Sequence, residues 1–411
     1  MLVARGASQG PPARNLNRDA PESFLISELC GNSELRSSLL SPATWVADPG
    51  WQVACAAMAK RNALRPGGVD GLNADDPGVA LLAEAVADME RDRVLLVCSG
   101  ALPGVDHAGP RLILDAREAR HAGGGAVPFA SWPSLDPSFE AAVVWPRAHL
   151  GKDFTQQCIA IAGRTLAEGG RLLCAVKKQK GADSIADFMG EVFGNVRVLA
   201  RTKGYRLLCS DRVQPVARHE VLDRRYEIKD ARLGDLVLTS APGAFSRKGL
   251  DIGTQCLIDH VAGLDLDPAR VVDLGAGVGP IALWAATRWP VAGVVAVESN
   301  SVSAAMLREN VLTAGLKGRV FAMEHDGLPS TVASVRPFVG TTDLTLTNPP
   351  THADARALEH LLGPLASWQR KGSKTFAVVS RAEMVTVALR KAGAMVVETR
   401  YDRFSVLEAT W

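Results

Sequence analysis

Apolar and polar positions alternate along this chain in two successive series of the same kind. In the first, short apolar runs at 93–100 (RVLLVCSG), 111–116 (RLILDA), 141–146 (AAVVWP), 171–178 (RLLCAVKK) and 204–210 (GYRLLCS) predict strands. Stretches with helical spacing at 51–62, 79–92, 154–170 and 183–193 predict helices around them. A charged stretch at 211–235 carrying Pro215 marks a boundary. The second series predicts strands near 270–273, 293–297, 319–322, 342–346, 375–379, 395–399 and 404–409, with helices near 279–289, 301–314, 355–369 and 381–391. Strands separated by helices argue for a mostly parallel sheet covered on both faces. The fold class is therefore α/β, with two tandem Rossmann-like domains expected over 51–215 and 225–411. Residues 1–50, rich in Gly, Pro, Ser and Asn, read as a tail and lead-in.

The two series echo each other at an offset of 203 residues, which brings Pro146 onto Pro349 and EGGRLLCAVK (168–177) onto KGSKTFAVVS (371–380). Duplication of one unit is the expectation.

Composition narrows the class. With 411 residues, 47% hydrophobic and 22% charged, the chain has the content of a globular protein of two or three domains, and global disorder is excluded. Its 46 basic and 44 acidic residues leave a net charge of only +2, so bulk charge does not indicate a polyanion partner and a nucleic-acid surface would have to be a local patch. One such patch runs from Arg171 to Arg206, where Lys177 and Lys178 sit at a strand end within reach of a phosphate; a merely solvated loop is the competing reading. Seven dispersed cysteines without metal-like spacing read as buried thiols in a reducing compartment, and no metal site is expected. No apolar run approaches a membrane span of about 18 residues. A cytoplasmic, monomeric protein is the expectation.

The most informative stretch is RVVDLGAGVGPIALWAATRW (270–289). An apolar strand ends at Asp273, then Gly275, Gly277 and Gly279 lead into a helix. Glycine is required where the backbone takes positive φ or must lie against a ligand. The next strand ends in Glu298, an acid placed to accept from both hydroxyls of a ribose. A dinucleotide site wants G-x-G-x-x-G, whereas here the spacing is G-x-G-x-G followed by Pro280, which fits S-adenosylmethionine better because no pyrophosphate must be held. Asp326, after the third strand, is placed to meet the adenine amine; a solvated turn residue is its alternative.

After the fourth strand stands Asn348-Pro349-Pro350-Thr351. The exocyclic amine of a base is a poor nucleophile because its lone pair is delocalised into the ring. Two acceptors, the Asn348 side-chain oxygen and the Pro349 carbonyl, would take its hydrogens, favour sp³ character and aim the lone pair at a methyl sulfonium. The prolines stiffen the loop that carries them. Asn348 lies close enough to the glycine turn in such a fold to touch the cofactor as well.

The upstream segment LTSAPGAFSRKGLDIGTQCLI (238–258), followed by the glycine turn and Asn-Pro-Pro, resembles the bacterial ribosomal RNA guanine-N2 methyltransferases, both the C type that acts on the small ribosomal subunit and its G-type relative for the large one. The resemblance covers nearly all of 225–411. It implies a class I methyltransferase fold with a degenerate first domain that helps to recognise RNA, S-adenosylmethionine as cofactor, and ribosomal RNA or a ribosomal subunit as partner. It also implies that Phe245 and the residues around it close over cofactor and target. The chain departs from the family at Thr351, where an aromatic residue usually stacks on the base, an interaction worth about 1–3 kcal/mol; Phe245 or His352 would have to replace it. It departs again at VVSRAEMV (378–385). Those departures keep two other readings open: a catalytically impaired scaffold or ribosome-assembly protein, and a methyltransferase acting on a protein amide.

Overall fold

The computed structural model describes residues 72, 75–119, 125–329, 331–350 and 354–411. The tail, the helix expected over 51–62, Thr351 and His352 lie outside them.

The first series folds into β1 (Val94–Val97), β2 (Arg111–Ile113), β3 (Ala126–Pro128), β4 (Phe139–Val144), β5 (Leu166–Lys177), β6 (Arg197–Thr202) and β7 (Tyr205–Asp211), with helices α1 (Pro77–Val86), α2 (Lys152–Thr165) and α3 (Ala182–Phe193). The strand order is β3-β2-β1-β4-β5-β7-β6. Helix α2 stops at Thr165, five residues short of the expected end, because the following Gly-Gly is not a turn. Gly169 takes φ +78° and the ladder slips between Phe139 and Ala141, so the strand passes through an irregularity and continues.

The expected boundary is folded. It holds β8 (Tyr226–Ile228), which pairs antiparallel with β9 (Leu238–Ser240) just beyond it, and helix α4 (Ile252–Ala262) follows, an element the apolar pattern does not predict. The second sheet follows: β10 (Arg270–Leu274), β11 (Gly293–Glu298), β12 (Val320–Glu324), β13 (Thr342–Thr347), β14 (Gln369–Val379), β15 (Met395–Arg400) and β16 (Ser405–Thr410). Helices α5 (Pro280–Arg288), α6 (Ser301–Thr313), α7 (Ala355–Leu362), α8 (Leu365–Trp368) and α9 (Ala382–Lys391) accompany it. The helix expected over 355–369 is divided at Gly363-Pro364, since proline cannot continue the hydrogen-bond ladder.

Its order, β12-β11-β10-β13-β14-β16-β15, is that of the first sheet. Register repeats too: Ala141 pairs with Arg171 as Leu344 pairs with Lys374, the same 203-residue offset. Gly372 repeats Gly169 with φ +79°, and the slip recurs between Thr342 and Leu344. Val94 pairs with Ala141 as Val271 pairs with Leu344, which allows the halves to be matched residue by residue.

The halves share one hydrophobic core cluster, in which Phe154 and Phe129 of the first half join Ala241, Ala244, Leu257 and Val302 of the second. Polar contacts tie the same seam: the Ala116 N–H donates to the Ser299 carbonyl at 2.7 Å, and the Ser301 N–H to that of Leu114 at 2.8 Å. Among the described residues no helix is long and apolar enough to cross a membrane.

Candidate active site

Strand β10 is fully buried over Val271–Leu274, as a central parallel strand must be, and it delivers Asp273 to the sheet's carboxyl edge. Gly275, Gly277 and Gly279 take φ of +77°, +58° and +100°, so all three need the freedom glycine has. At Gly279 a Cβ would also meet Leu307 at 2.5 Å and Leu283 at 2.8 Å, whereas at Gly275 and Gly277 it would meet no protein atom. The turn is thus packed against the core at one end and open at the other. Pro280 then starts α5 with its φ already helical.

Two acids flank that open turn. Asp273 is completely buried, no hydrogen bond of ordinary geometry among the described residues reaches either of its carboxylate oxygens, and burial, opposed only in part by the Ala282 N–H, pushes its pKa up to about 8. Glu298 accepts from the Gly277 N–H and the Asn300 N–H, each at 2.7 Å; desolvation nevertheless raises it to about 7. A buried carboxyl with no side-chain partner among the described residues, a second acid beside the turn and two glycines facing open space fit a ligand with a cationic group and a ribose. Asp326 is buried after β12 with its carboxylate 3.2 Å from His360 Nε2.

Asn348 leaves β13 on the same carboxyl edge. Its Nδ2 donates to Asp251 Oδ2 at 2.8 Å and to Thr254 Oγ1 at 3.1 Å. A carboxylate only accepts, so the amide cannot be flipped: nitrogen points at α4 and Oδ1 points away from it. Asp251 is also the N-cap of α4, accepting from the Thr254 N–H. Room for this contact depends on Gly253, where a Cβ would lie 2.9 Å from Asp251 Oδ2, 3.4 Å from Asn348 Nδ2 and 3.3 Å from the Phe404 ring. Pro349 is buried and Pro350 exposed.

Sequence reasoning missed two of these residues, Thr254 and Phe404, and the role of a third. Asp251 is read from the sequence only as part of the upstream segment expected to close over the site; an acid immediately before Ile252, Leu257, Ile258 and Val261 is the N-cap signal that could have revealed α4. Thr254 carries no signal. Phe404 lies in the tip between β15 and β16, and only folding brings it beside Asn348.

Phe245 is 68% exposed, and its loop is anchored from both halves. Asn300 Nδ2 donates to the Gly243 carbonyl at 3.0 Å, and Arg247 donates through Nε and Nη2 to Asp153, both at 2.9 Å. Lys177 and Lys178 are exposed at the end of β5, on the first half of the chain and not on the Asn348 edge of the second sheet.

The methyltransferase small domain family matches residues 133–209 and 235–408, more than half of the chain. The chain belongs to that family. Among curated proteins, the ribosomal RNA small subunit methyltransferase C of Pseudomonas entomophila is 28% identical over 277 residues, 65% of this chain and 76% of that one. The protein of the same name from Pseudomonas putida strain GB-1 is 27% identical over 74% of this chain and 87% of its own. The ribosomal RNA large subunit methyltransferase G of Ectopseudomonas mendocina is 28% identical, and the match spans 59% of its length. Among solved structures, the T. thermophilus 16S rRNA N2 G1207 methyltransferase, in complex with AdoMet and guanosine, superposes with a TM-score of 0.68 at 23% identity, over 84% of this chain and 96% of that one. That likeness establishes the tandem two-sheet fold.

The register lets the family's chemistry be followed into the first half. Leu96 stands at the position of Asp273, Ile113 at that of Glu298 and Trp145 at that of Asn348. The two acids and the side-chain acceptor thus have apolar or aromatic residues in their places in the first half, while Pro146 keeps the position of Pro349.

Proposed function

We propose that the second half of this chain is an S-adenosylmethionine-dependent methyltransferase that modifies the exocyclic N2 amine of a guanine in ribosomal RNA. The observation that carries the reading is the Asn348 amide, whose nitrogen is fully engaged by Asp251 and Thr254 while no hydrogen bond among the described residues reaches Oδ1. The names of the relatives support the choice of ribosomal RNA as the acceptor. In this reading residues 51–215 recognise RNA and 225–411 hold the cofactor.

Gly275 and Gly277 would lie against the cofactor, Glu298 would accept from its ribose hydroxyls, Asp273 would face its ammonium group and Asp326 its adenine amine. When bound, that cofactor supplies an electrophilic methyl on a sulfonium. Asn348 Oδ1 and the Pro349 carbonyl each accept one hydrogen of the guanine amine. Electron density then returns from the ring to nitrogen, and the lone pair is held in line for displacement. Phe404, whose ring edge borders Gly253 together with Asn348 Nδ2, would be the aromatic group to meet the base in place of Thr351.

Mass mapping of ribosomal RNA from a strain lacking the gene should show the loss of one N2-methylguanosine. An unchanged guanine pattern would overturn the substrate, and the absence of S-adenosylmethionine binding at millimolar concentration would overturn the enzyme. Asn348→Ala should abolish transfer and leave cofactor affinity within about threefold; equal loss of both would make the residue structural.

A further inference from the structure

The first half keeps a cavity at the place where the second half has its acceptor site. It has a volume of about 490 Å³, within the roughly 300–1,000 Å³ usual for small-molecule sites, and opens at the carboxyl ends of β4 and β5. Trp145, at the position of Asn348, forms one wall. The Tyr205 ring is stacked beside it at 6.0 Å between centroids, with the Lys177 ammonium 5.1 Å from the Tyr205 centroid. Behind this aromatic pair Gly78 leaves no space: a Cβ there would come within 2.6 Å of Tyr205 and 3.1 Å of Trp145, so the rings are fixed from the rear.

The opposite wall is built for an anion. Helices α2 and α3 both begin at the cavity, at Lys152 and Ala182. Their N-caps are Gly151 and Gly181, neither of which gives a side-chain hydrogen bond to the first turn. The leading N–H groups of α3 are therefore available to a ligand, as are those of Lys152 and Asp153 at the start of α2, where the Phe154 N–H is taken by Asp153 Oδ1 at 3.0 Å. Ser184 Oγ is buried there with no partner among the described residues. Lys152, Lys177 and Lys180 line the same space, and among the described residues none is paired with a carboxylate. The acids nearby are committed elsewhere: Asp183 to Arg206, Asp153 to Arg247 and Tyr226, and Asp76 to the Tyr205 hydroxyl.

We infer that this cavity binds one unpaired nucleotide of the RNA, with its base against Trp145 and its phosphate at the two helix N-termini and the lysines. Indole has a donor and no acceptor, so Trp145 cannot activate an amine as Asn348 does; its face can only stack. The duplicated acceptor site has thus lost transfer and kept capture. A base held here would fix the RNA relative to the Asn348 edge of the same rigid core. The inference rests on the RNA reading above for its ligand.

The test uses the full-length chain and a short fluorescein-labelled single-stranded RNA of mixed sequence containing 4-thiouridine. Trp145→Ala and the pair Lys177→Gln/Lys180→Gln should each weaken binding about tenfold, the loss expected of one stacked base or of two phosphate contacts. Trp145→Phe should stay within about threefold of the parent, because a ring remains. The lysine pair should also flatten the salt dependence, by about 0.7 in log–log slope for each phosphate no longer neutralised. Ultraviolet cross-links should map to the peptides that carry Trp145 and Lys177. Cofactor calorimetry on each variant should match the parent, which separates loss of the pocket from loss of the fold. RNA affinity within twofold of the parent in both Trp145→Ala and the lysine pair, or cross-links that avoid these peptides, would overturn the inference. Cross-linking at Trp145 together with an unchanged guanine pattern in the deletion strain would uphold the pocket and refute the proposed transfer instead.

Discussion

One oxygen of Asp251 serves both the fold and the site, which makes its replacement the most informative perturbation. Oδ2 caps α4 through the Thr254 N–H at 3.2 Å and holds Asn348 Nδ2 at 2.8 Å. In Asp251→Ala the cap is lost, at a cost of about 1 kcal/mol of stability. The charge-assisted bond to Asn348 is lost as well, worth about 1.5–3 kcal/mol, and the amide is then free to turn or flip. A reacting group misplaced by about 1 Å costs on the order of 100-fold in rate, so kcat should fall about 100-fold while the affinity for S-adenosylmethionine barely changes. Asp251→Asn keeps an acceptor in place and should recover kcat to within about tenfold. Thr254→Val leaves the cap intact and removes only the 3.1 Å hydrogen bond from Asn348, so it should lower kcat severalfold with little change in Tm. Single-turnover transfer to RNA gives the rate, and thermal melts give the stability of the same preparations. If Asp251→Ala lowers Tm but leaves kcat within threefold of the parent, Asp251 is a helix cap and nothing more.

Two further outcomes follow from the charges. Asp273 and Glu298 have pKa values raised to about 8 and about 7, so the ligand-free fold favours their neutral forms and loses that stabilisation as pH rises from about 4 towards those values. A cationic ligand that donates hydrogen bonds prefers both ionised; S-adenosylmethionine affinity should therefore rise between pH 6 and 8, by up to about tenfold per pH unit for each proton released. Calorimetry in two buffers of different ionisation enthalpy counts those protons, and a flat affinity with no release would contradict the assignment. Asp153 behaves in the opposite sense: burial opposes its ionisation, but the hydrogen bonds from Tyr226 and Arg247 outweigh it and hold the carboxyl below the usual range. Its contribution is present above the unfolded pKa and disappears as pH falls through the lower folded value. Asp153→Ala should cost about 2 kcal/mol in urea unfolding at pH 7 and progressively less as pH falls below the usual carboxylate range.

Legibility in the sequence followed the range of the interaction. The central strands read correctly because a strand buried on both faces must be a continuous apolar run, as at Val294–Val297. The glycine turn read correctly because positive φ is a local demand. The edge strands of the first half did not, although their counterparts β12 and β15 in the second half were read: β6 alternates exposed and half-buried positions, and β3 has only three residues, so neither gives an apolar run. The Gly-Gly at 169–170 looks like a turn to any local reading, and only the pairing of β5 with both neighbours shows that the strand continues. The Asn348 contacts with Asp251 and Thr254 span 97 and 94 residues, and Phe404 is farther along the chain than either, so no window on the sequence could hold that constellation together.

The matched register also explains how one half could lose its chemistry without losing its shape. Cys98 occupies the place of Gly275 and still carries positive φ, +50°, a conformation costly for a side chain and pointless without the ancestral turn. What now lies across that turn is Arg147, which donates through Nε to the Cys98 carbonyl at 3.0 Å and through Nη1 to the buried Glu118 at 2.6 Å. A guanidinium pair of this kind satisfies the backbone that a cofactor would otherwise meet, and breaking one partner would leave the other as an uncompensated charge. Restoring Leu96 to Asp and Ile113 to Glu would therefore not revive cofactor binding in the first half. The Arg147–Glu118 pair would still fill the space, and only its joint removal would open it.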